Sequence, residues 1–187
     1  MKLHLGCWHR YIPGFVHVDL CDMDHIDHKS SIDDLSMFEN ESVELIYSSH
    51  SFEYFNRKDA ISVLQEWARV LKPEGVLRLA VPDFDSLIKV YKDTGKIEKV
   101  LGPLYGQMNI KIPQEEVTLY HKTAYNYDSL SEILYDNGFS NIRRYDWRDT
   151  IHKDYDDHSQ AYFPHMDKES GILISLNVEA TKVWVIL

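Results

Sequence analysis

Cysteine is scarce in this chain, with only Cys7 and Cys21 among 187 residues. Two are too few for the disulfide framework of a small secreted domain, so the fold must stand on its hydrophobic core. Long apolar runs are also missing, since no stretch approaches the ~20 residues of a membrane-spanning helix. The opening MKLHLGCWHRY lacks the apolar stretch and small-residue cleavage site of a secretory signal. These absences predict a cytoplasmic protein without a membrane partner. Positive charge is in deficit: 20 Lys and Arg face 30 Asp and Glu, a formal charge of −10. A compact nucleic-acid binder normally carries the opposite balance, so nucleic acid is not an expected partner and a small molecule is. Glycine is missing where a dinucleotide fingerprint would need it. After Gly6, the positions that G-x-G-x-x-G would fill are Trp8 and Tyr11. Without that glycine-rich helix start there is little provision for a pyrophosphate, which disfavours NAD and favours a nucleoside without phosphates.

What is present suits one domain over residues 1–187, without repeats or linkers. Lys2–Leu5 and Phe15–Val18 read as strands, joined by about ten residues, close to the minimum for a parallel crossover. A weak third strand covers Lys29–Ile32, and Val43–Tyr47 is an apolar run that gives way to Ser48-Ser49-His50. Asn56 with Asp59 opens a helix whose apolar positions Ala60, Leu64, Trp67, Ala68 and Leu71 form one stripe. Lys72-Pro73-Glu74-Gly75 stops it, and Val76–Val81 is a strand ending at Pro82-Asp83. Asp85 is expected to cap a helix to about Thr94, with Gly95 closing it. Residues 102–125 read as mostly irregular, Asp128 opens a helix that closes at Gly138, and Ile142–Trp147 is a strand. Residues 172–181 alternate with period two and read as a further strand. Trp67 and Trp184 sit in apolar patterns and are expected in the core.

Strands alternating with helices predict an α/β fold with a doubly wound, mostly parallel sheet; the last two strands lack an intervening helix and predict an antiparallel edge pair. Ligands of such sheets sit beyond the carboxyl ends of the strands. Gly6 follows the first strand, where a tight bend lets a ligand touch main chain. Asp19 ends the second, where a carboxylate can accept from ribose hydroxyls. A turn glycine and a helix cap are the competing readings.

The stretch LHLGCWHRYIPGFVHVDL resembles the first motif of class I S-adenosylmethionine-dependent methyltransferases. More narrowly, it is similar to a compact bacterial group in which Leu-x-Leu-Gly-Cys-Gly precedes a Pro-Gly and a strand ending in Asp. The resemblance continues through SIDDLSMFENESVELIYSSHSFEYF, LQEWARVLKPEGVLRLAVPDFD and SQAYFPHMDKESGILISLNVEATK. It implies the Rossmann-like class I methyltransferase fold, S-adenosylmethionine as cofactor and methyl transfer as activity. Relatives of this kind often accompany surface-polysaccharide biosynthesis. The resemblance puts the methionine moiety and sulfonium against Leu5, Gly6 and Cys7, the ribose on Asp19 and the adenine beside Leu20, Ile32 and Leu35, with Ser49 lining the cofactor. Two positions depart from the pattern. Trp8 replaces the second glycine, and Ser31 stands where an aspartate often contacts the adenine, with Asp33 nearby as a substitute. These departures keep open a module that binds nucleoside or S-adenosylhomocysteine without turnover.

Methyl transfer from a sulfonium is an in-line displacement, and a hydroxyl acceptor must also lose its proton, preferably to a group titrating near neutrality. His50, at the rim after the fourth strand, is the leading base, with loop ordering as its competing reading. Asp83 could orient it or an acceptor, or cap a helix, and His121 lies in a loop expected over the acceptor. Residues 102–125 and 149–171 are read as acceptor-side loops. Tyr120, Asp157, His158, Tyr162 and His165 are the candidate acceptor contacts, in segments rich enough in polar and aromatic groups to grip a polyhydroxylated molecule. Asp157, His158 and His165 match no strong metal-ligand spacing, so no metal is expected. Ser48-Ser49-His50-Ser51 stands where amino-methylating nucleic-acid enzymes of similar fold carry Asp or Asn, Pro-Pro and an aromatic. The acceptor is therefore expected to be a small polar molecule methylated on oxygen, such as a sugar or sugar-nucleotide.

Overall fold

The computed structural model describes residues 1–112 and 115–183. In chain order its first elements are β1 (Lys2–Leu5), β2 (Val16–Asp19), β3 (His28–Lys29), β4 (Val43–Ser49), α1 (Arg57–Val70) and β5 (Leu71–Pro82). Then come α2 (Phe84–Thr94), α3 (Glu98–Tyr105), β6 (Met108–Ile112), β7 (Glu115–Leu119), α4 (Tyr127–Asp136) and β8 (Phe139–Arg144). The chain continues with β9 (Tyr162–Phe163), β10 (Ile172–Leu173) and β11 (Ser175–Lys182). Trp184, expected in the core, lies outside the described residues.

Seven strands form one sheet in the order β3-β2-β1-β4-β5-β11-β8. The first five are parallel, with Leu3 beside both Val16 and Ile46, while β11 runs antiparallel to β5 and to β8. The expected antiparallel pair is thus present at the sheet's edge, with β11 inside and β8 outside. The order reverses between β1 and β4, which places the switch point at Gly6 and Ser48–Ser49.

The two faces of the sheet are covered differently. On one, Leu3, Leu5, Ile46, Leu77, Leu79, Val81, Leu176 and Val178 pack against α1 and α4 in a single apolar core. The other carries His4, His17, Tyr47 and Asn177, and it is covered by the 7–15 segment and by the chain around His152–Ser159. The ten-residue crossover from β1 to β2 contains no helix, because a helix of useful length does not fit that span. Where a doubly wound sheet would place helices, irregular chain lies instead, and polar side chains face it.

Local chemistry explains the helix ends. Asn56 Oδ1 accepts from the amides of Lys58 and Asp59 at 2.9 Å each, satisfying two otherwise orphaned donors of α1. The cap of α2 is Asp83 rather than Asp85, since its carboxylate accepts from the Asp85 amide, and Gly95 closes the helix with φ +64°. The opener of α4 is Asn126, in a reciprocal box with Ser129, rather than Asp128. Three further expectations shift. The third strand is His28–Lys29 instead of 29–32, because Ile32 turns away to accept a 2.7 Å bond from the Trp67 indole. The strand read at 142–147 is Phe139–Arg144, set by pairing with β11. The 172–181 strand breaks at Ile174, whose amide bonds Ala161 and whose carbonyl accepts from Asp83, so 172–173 pairs with β9 and the rest joins the main sheet.

The described part of 102–125 is more regular than its prolines suggested. It contains the last turns of α3, which accommodates Pro103, and an antiparallel β6–β7 ribbon pairing Met108 with Leu119. With β9 and β10, helices α2 and α3 bury a small cluster of Leu87, Val90, Val100 and Leu104 beyond the end of β5.

Trp67 is fully buried beneath the sheet, against Phe52 and bonded to the Ile32 carbonyl. Trp67→Ala is expected to cost about 3–5 kcal/mol, as loss of a large core side chain does. The denaturant midpoint measures it.

Candidate active site

The bend after β1 is built on Gly6, with φ +66° and its amide bonded to the Val18 carbonyl at 2.9 Å. A β-carbon there would stand 2.2 Å from Ser51 Oγ, which itself donates to the Gly6 carbonyl at 3.0 Å. Glycine is therefore required twice, by conformation and by the close passage of the chain leaving β4. Trp8 also takes a left-handed conformation, φ +44°, so the position where relatives carry a second glycine keeps a glycine-like backbone. Its amide donates to Asp19 Oδ2 at 2.7 Å, and the Cys21 amide donates to Oδ1 at 2.8 Å. Asp19 thus ties the loops after β1 and β2 together. Each carboxylate oxygen keeps a second lone-pair direction for a ligand hydroxyl. The Trp8 ring lies edge-on to His9, with centroids 4.2 Å apart.

Around this bend, Leu5 and Cys7 are buried and Ile32 Cδ1 lies 3.9 Å from where a Gly6 β-carbon would stand. Ser49 Oγ, at the end of β4, is buried and has no hydrogen-bond partner among the described residues. A glycine bend at the switch point, an anchored carboxylate and an orphaned hydroxyl fit a nucleoside-bearing cofactor. Other assigned contacts are placed differently: Leu20 and Asp33 are exposed, Ser31 is half-buried, and Leu35 is sealed in the main core. Burial and the nearby Asp19 push both thiols upward, Cys21 to about 12, so both cysteines are inert buried thiols.

Past β4, His50 takes φ +53° and its amide bonds the Ala80 carbonyl. Its Nε2 lies 3.1 Å from Ser175 Oγ, and its Nδ1 lies 3.5 Å from Glu53 Oε1. His121 arrives from the end of the β6–β7 ribbon, with Nε2 3.6 Å from the same Glu53 oxygen and Nδ1 3.1 Å from the Pro103 carbonyl. Two histidines expected separately are therefore joined through a glutamate. Glu53 is wholly buried, and neither carboxyl oxygen has a hydrogen-bond partner among the described residues. Burial pushes it up to about 8. Burial lowers both imidazoles, and His50 is held well below the usual histidine range, with His158 and His121 adding to the effect. In the sequence, Glu53 sits between Phe52 and Tyr54 and looks like part of a helix entry. The one signal was its three-residue spacing from His50.

The remaining candidates serve other contacts. The Asp83 carboxylate caps α2 and meets Ser86 Oγ at 3.1 Å and Arg144 at 3.4 Å, so its partners lie on α2 and β8 rather than at His50. Asp157 is buried and accepts from the Ser159 amide and from the hydroxyl of Tyr47 in mid-β4. Tyr162 is buried and its hydroxyl meets the Trp147 indole and Arg148. Neither faces open solvent as an acceptor contact would. Exposed His158 stands edge-on to His50 with centroids 5.2 Å apart, and Tyr120 and His165 are exposed. Among the described residues no group of three His, Cys, Asp or Glu is placed to hold a metal ion, and no helix is long and apolar enough to cross a membrane.

A methyltransferase-domain family model matches residues 17–79. The Burkholderia thailandensis 1,6-didemethyltoxoflavin-N1-methyltransferase, solved with 1,6-didemethyltoxoflavin and S-adenosylhomocysteine, superposes with a TM-score of 0.55 at 12% identity, over 98% of this chain and 71% of its own. An Archaeoglobus fulgidus SAM-dependent methyltransferase gives 0.55 at 14% identity, over 97% and 85%. One from Mesorhizobium loti gives 0.53 at 14%, over 97% and 90%. This chain has the class I methyltransferase fold. Among curated proteins, none matches its sequence.

In this methyltransferase fold the burial of Glu53 has a measurable consequence. Its carboxyl titrates near 8 in the folded chain against an ordinary 4.5, so between those values the unfolded chain releases a proton that the folded one keeps. The stabilising contribution is full below about pH 4.5 and is lost by about pH 8, a change of up to about 5 kcal/mol. His50 and His121, shifted downward, act in the opposite sense in wild type and variant alike. Unfolding free energies at pH 5 and pH 8 should therefore favour Glu53→Gln over wild type increasingly at the higher pH. A constant difference would mean that Glu53 is ionised throughout.

Proposed function

We propose that the protein transfers a methyl group from S-adenosylmethionine to an oxygen of a small polar acceptor, with sugars and sugar-nucleotides as the leading class. The observation that carries this reading is the bond between Ser51 and the Gly6 carbonyl. It sets His50 and its glutamate beside the bend that would hold the cofactor. When bound, S-adenosylmethionine supplies an electrophilic methyl group on a sulfonium. Leu5, Gly6 and Cys7 flank its amino-acid end, Asp19 takes the ribose hydroxyls, Ile32 flanks the adenine, and Ser49 gives its unpartnered hydroxyl to the cofactor. His50 receives the acceptor's proton, and His121 closes the acceptor side.

Charge and the β4 exit support this acceptor class. A net charge of −10 repels a polyanion, and Ser48-Ser49-His50-Ser51 offers a proton acceptor in place of a clamp for an exocyclic amine. Association with polysaccharide biosynthesis and a cytoplasmic location belong to the same reading. Isothermal titration with S-adenosylmethionine and S-adenosylhomocysteine, followed by a labelled-methyl assay on sugars and sugar-nucleotides, tests it. Binding of both forms and label on a hydroxyl are expected. NAD binding without S-adenosylmethionine binding would overturn it, and binding without transfer would leave a nucleoside-binding module.

A further inference from the structure

The buried chain of polar groups behind His50 can be read proton by proton. The Asn177 Nδ2 donates to the Ser159 carbonyl at 2.8 Å, which fixes the orientation of that amide. Its Oδ1 must then accept from Ser175 Oγ, 2.9 Å away. With the Ser175 hydrogen committed, the 3.1 Å contact to His50 is a bond from His50 Nε2–H to Ser175 Oγ. A neutral His50 therefore has its lone pair on Nδ1, facing Glu53. His121 reaches the same arrangement independently, because the Pro103 carbonyl can only accept and so takes Nδ1–H, leaving the Nε2 lone pair toward Glu53. Two imidazole lone pairs converge on one carboxyl oxygen that has no other partner among the described residues. A carboxylate there would face two lone pairs with only its own backbone amide in its favour; a carboxylic acid has a proton to give.

We propose that Glu53 sets the tautomer of His50: as a neutral acid it keeps the histidine proton on Nε2, and as a carboxylate it draws that proton to Nδ1 and frees Nε2 as a base. His50 switches rather than His121 because the Ser175 hydroxyl can turn its one hydrogen from Asn177 Oδ1 to a bare Nε2, giving up the first bond for the second, whereas the Pro103 carbonyl has no hydrogen to give. The groups facing Glu53 are His50, His121, Tyr54 and Tyr125, with Arg57 over the Tyr125 ring at 5.3 Å. His158 and His121 face His50 from the other elements. The catalytic half of the proposal rests on the methyl-transfer reading, and the tautomer half does not. In turnover the acceptor oxygen's electron pair forms the bond to the methyl carbon, and the carbon–sulfur pair leaves with sulfur. The acceptor proton goes to His50 Nε2 as the Ser175 hydroxyl turns its hydrogen back to Asn177 Oδ1, and the resulting imidazolium is balanced by the Glu53 carboxylate. Glu53 is thus a positioning residue.

Nitrogen-15 NMR of the intact, histidine-labelled protein without cofactor tests this, with His50 assigned through His50→Gln. The Nε2–H pattern is expected at pH 6.5, converting to Nδ1–H as pH rises through about 8. In Glu53→Gln, where the amide donates at every pH, His50 should remain Nε2–H throughout. An Nδ1–H pattern at pH 6.5, or no change up to pH 9.5 in wild type, would overturn the proposal, and the wild-type titration decides even where the variant folds poorly. With a turning-over acceptor, the wild-type kcat profile should rise through the same pH and that rise should vanish in Glu53→Gln, with KM little changed. Absence of transfer alongside the expected titration would count against the methyl-transfer reading and leave the tautomer switch standing.

Discussion

Replacing His50 by alanine is expected to lower turnover by about 10²–10⁴-fold, the range that a positioned general base contributes. Affinity for S-adenosylmethionine should change little, because the bonds holding the Gly6 bend run through Ser51 and Val18 rather than through the imidazole. The variant leaves Glu53 facing a void on one side, so its neutral form is favoured and the fold should survive. Calorimetric affinity beside a labelled-methyl rate separates the two effects. Added imidazole should restore part of the rate, since the space vacated by the ring is bounded by Ser175 and Glu53. A rate close to wild type would remove His50 from the chemistry and leave it the loop-ordering role that its φ of +53° and its bond to Ala80 also suit.

Asp19→Ala should act on binding instead. In the proposed complex the carboxylate would hold two ribose hydroxyls, each a hydrogen bond to a charged group worth about 1.5–3 kcal/mol. Their loss predicts a weakening of about 10²-fold or more in Kd for both cofactor forms. The same side chain anchors the amides of Trp8 and Cys21, so alanine also loosens the bend. Asp19→Asn keeps an acceptor for one amide and should lose less affinity than alanine. Isothermal titration of the two variants reads this order, and equal affinity in alanine and wild type would mean that Asp19 serves only to pin the loops.

Much of the sheet was legible from local pattern. The strands at Lys2, Val16 and Val43 are short apolar runs whose burial demands neighbours on both sides, and the α1 stripe through Ala60, Leu64 and Trp67 is an amphipathic helix by spacing alone. Gly6 and Asp19 were legible because a strand end has a definite chemical meaning in a parallel sheet. Helix starts were less so: Asp83 rather than Asp85, and Asn126 rather than Asp128, became the caps, because several side chains near each entry can accept an amide and the backbone angle chooses among them. The β6–β7 ribbon was hidden by prolines, since two-strand pairing is a contact between segments and leaves a weak trace in either one.

The candidate site divides along the same line. Local sequence determined which residues stand at the strand ends, because period and punctuation act within a few positions of the chain. Tertiary structure decided what those residues meet. Glu53 beside His50 and His121, Ser175 behind the imidazole, and Tyr47 bonded to Asp157 from 110 positions away are all products of the sheet order. The same packing removed water from Glu53 and turned an ordinary surface acid into a buried proton holder, an effect of desolvation that no single residue carries in its own identity.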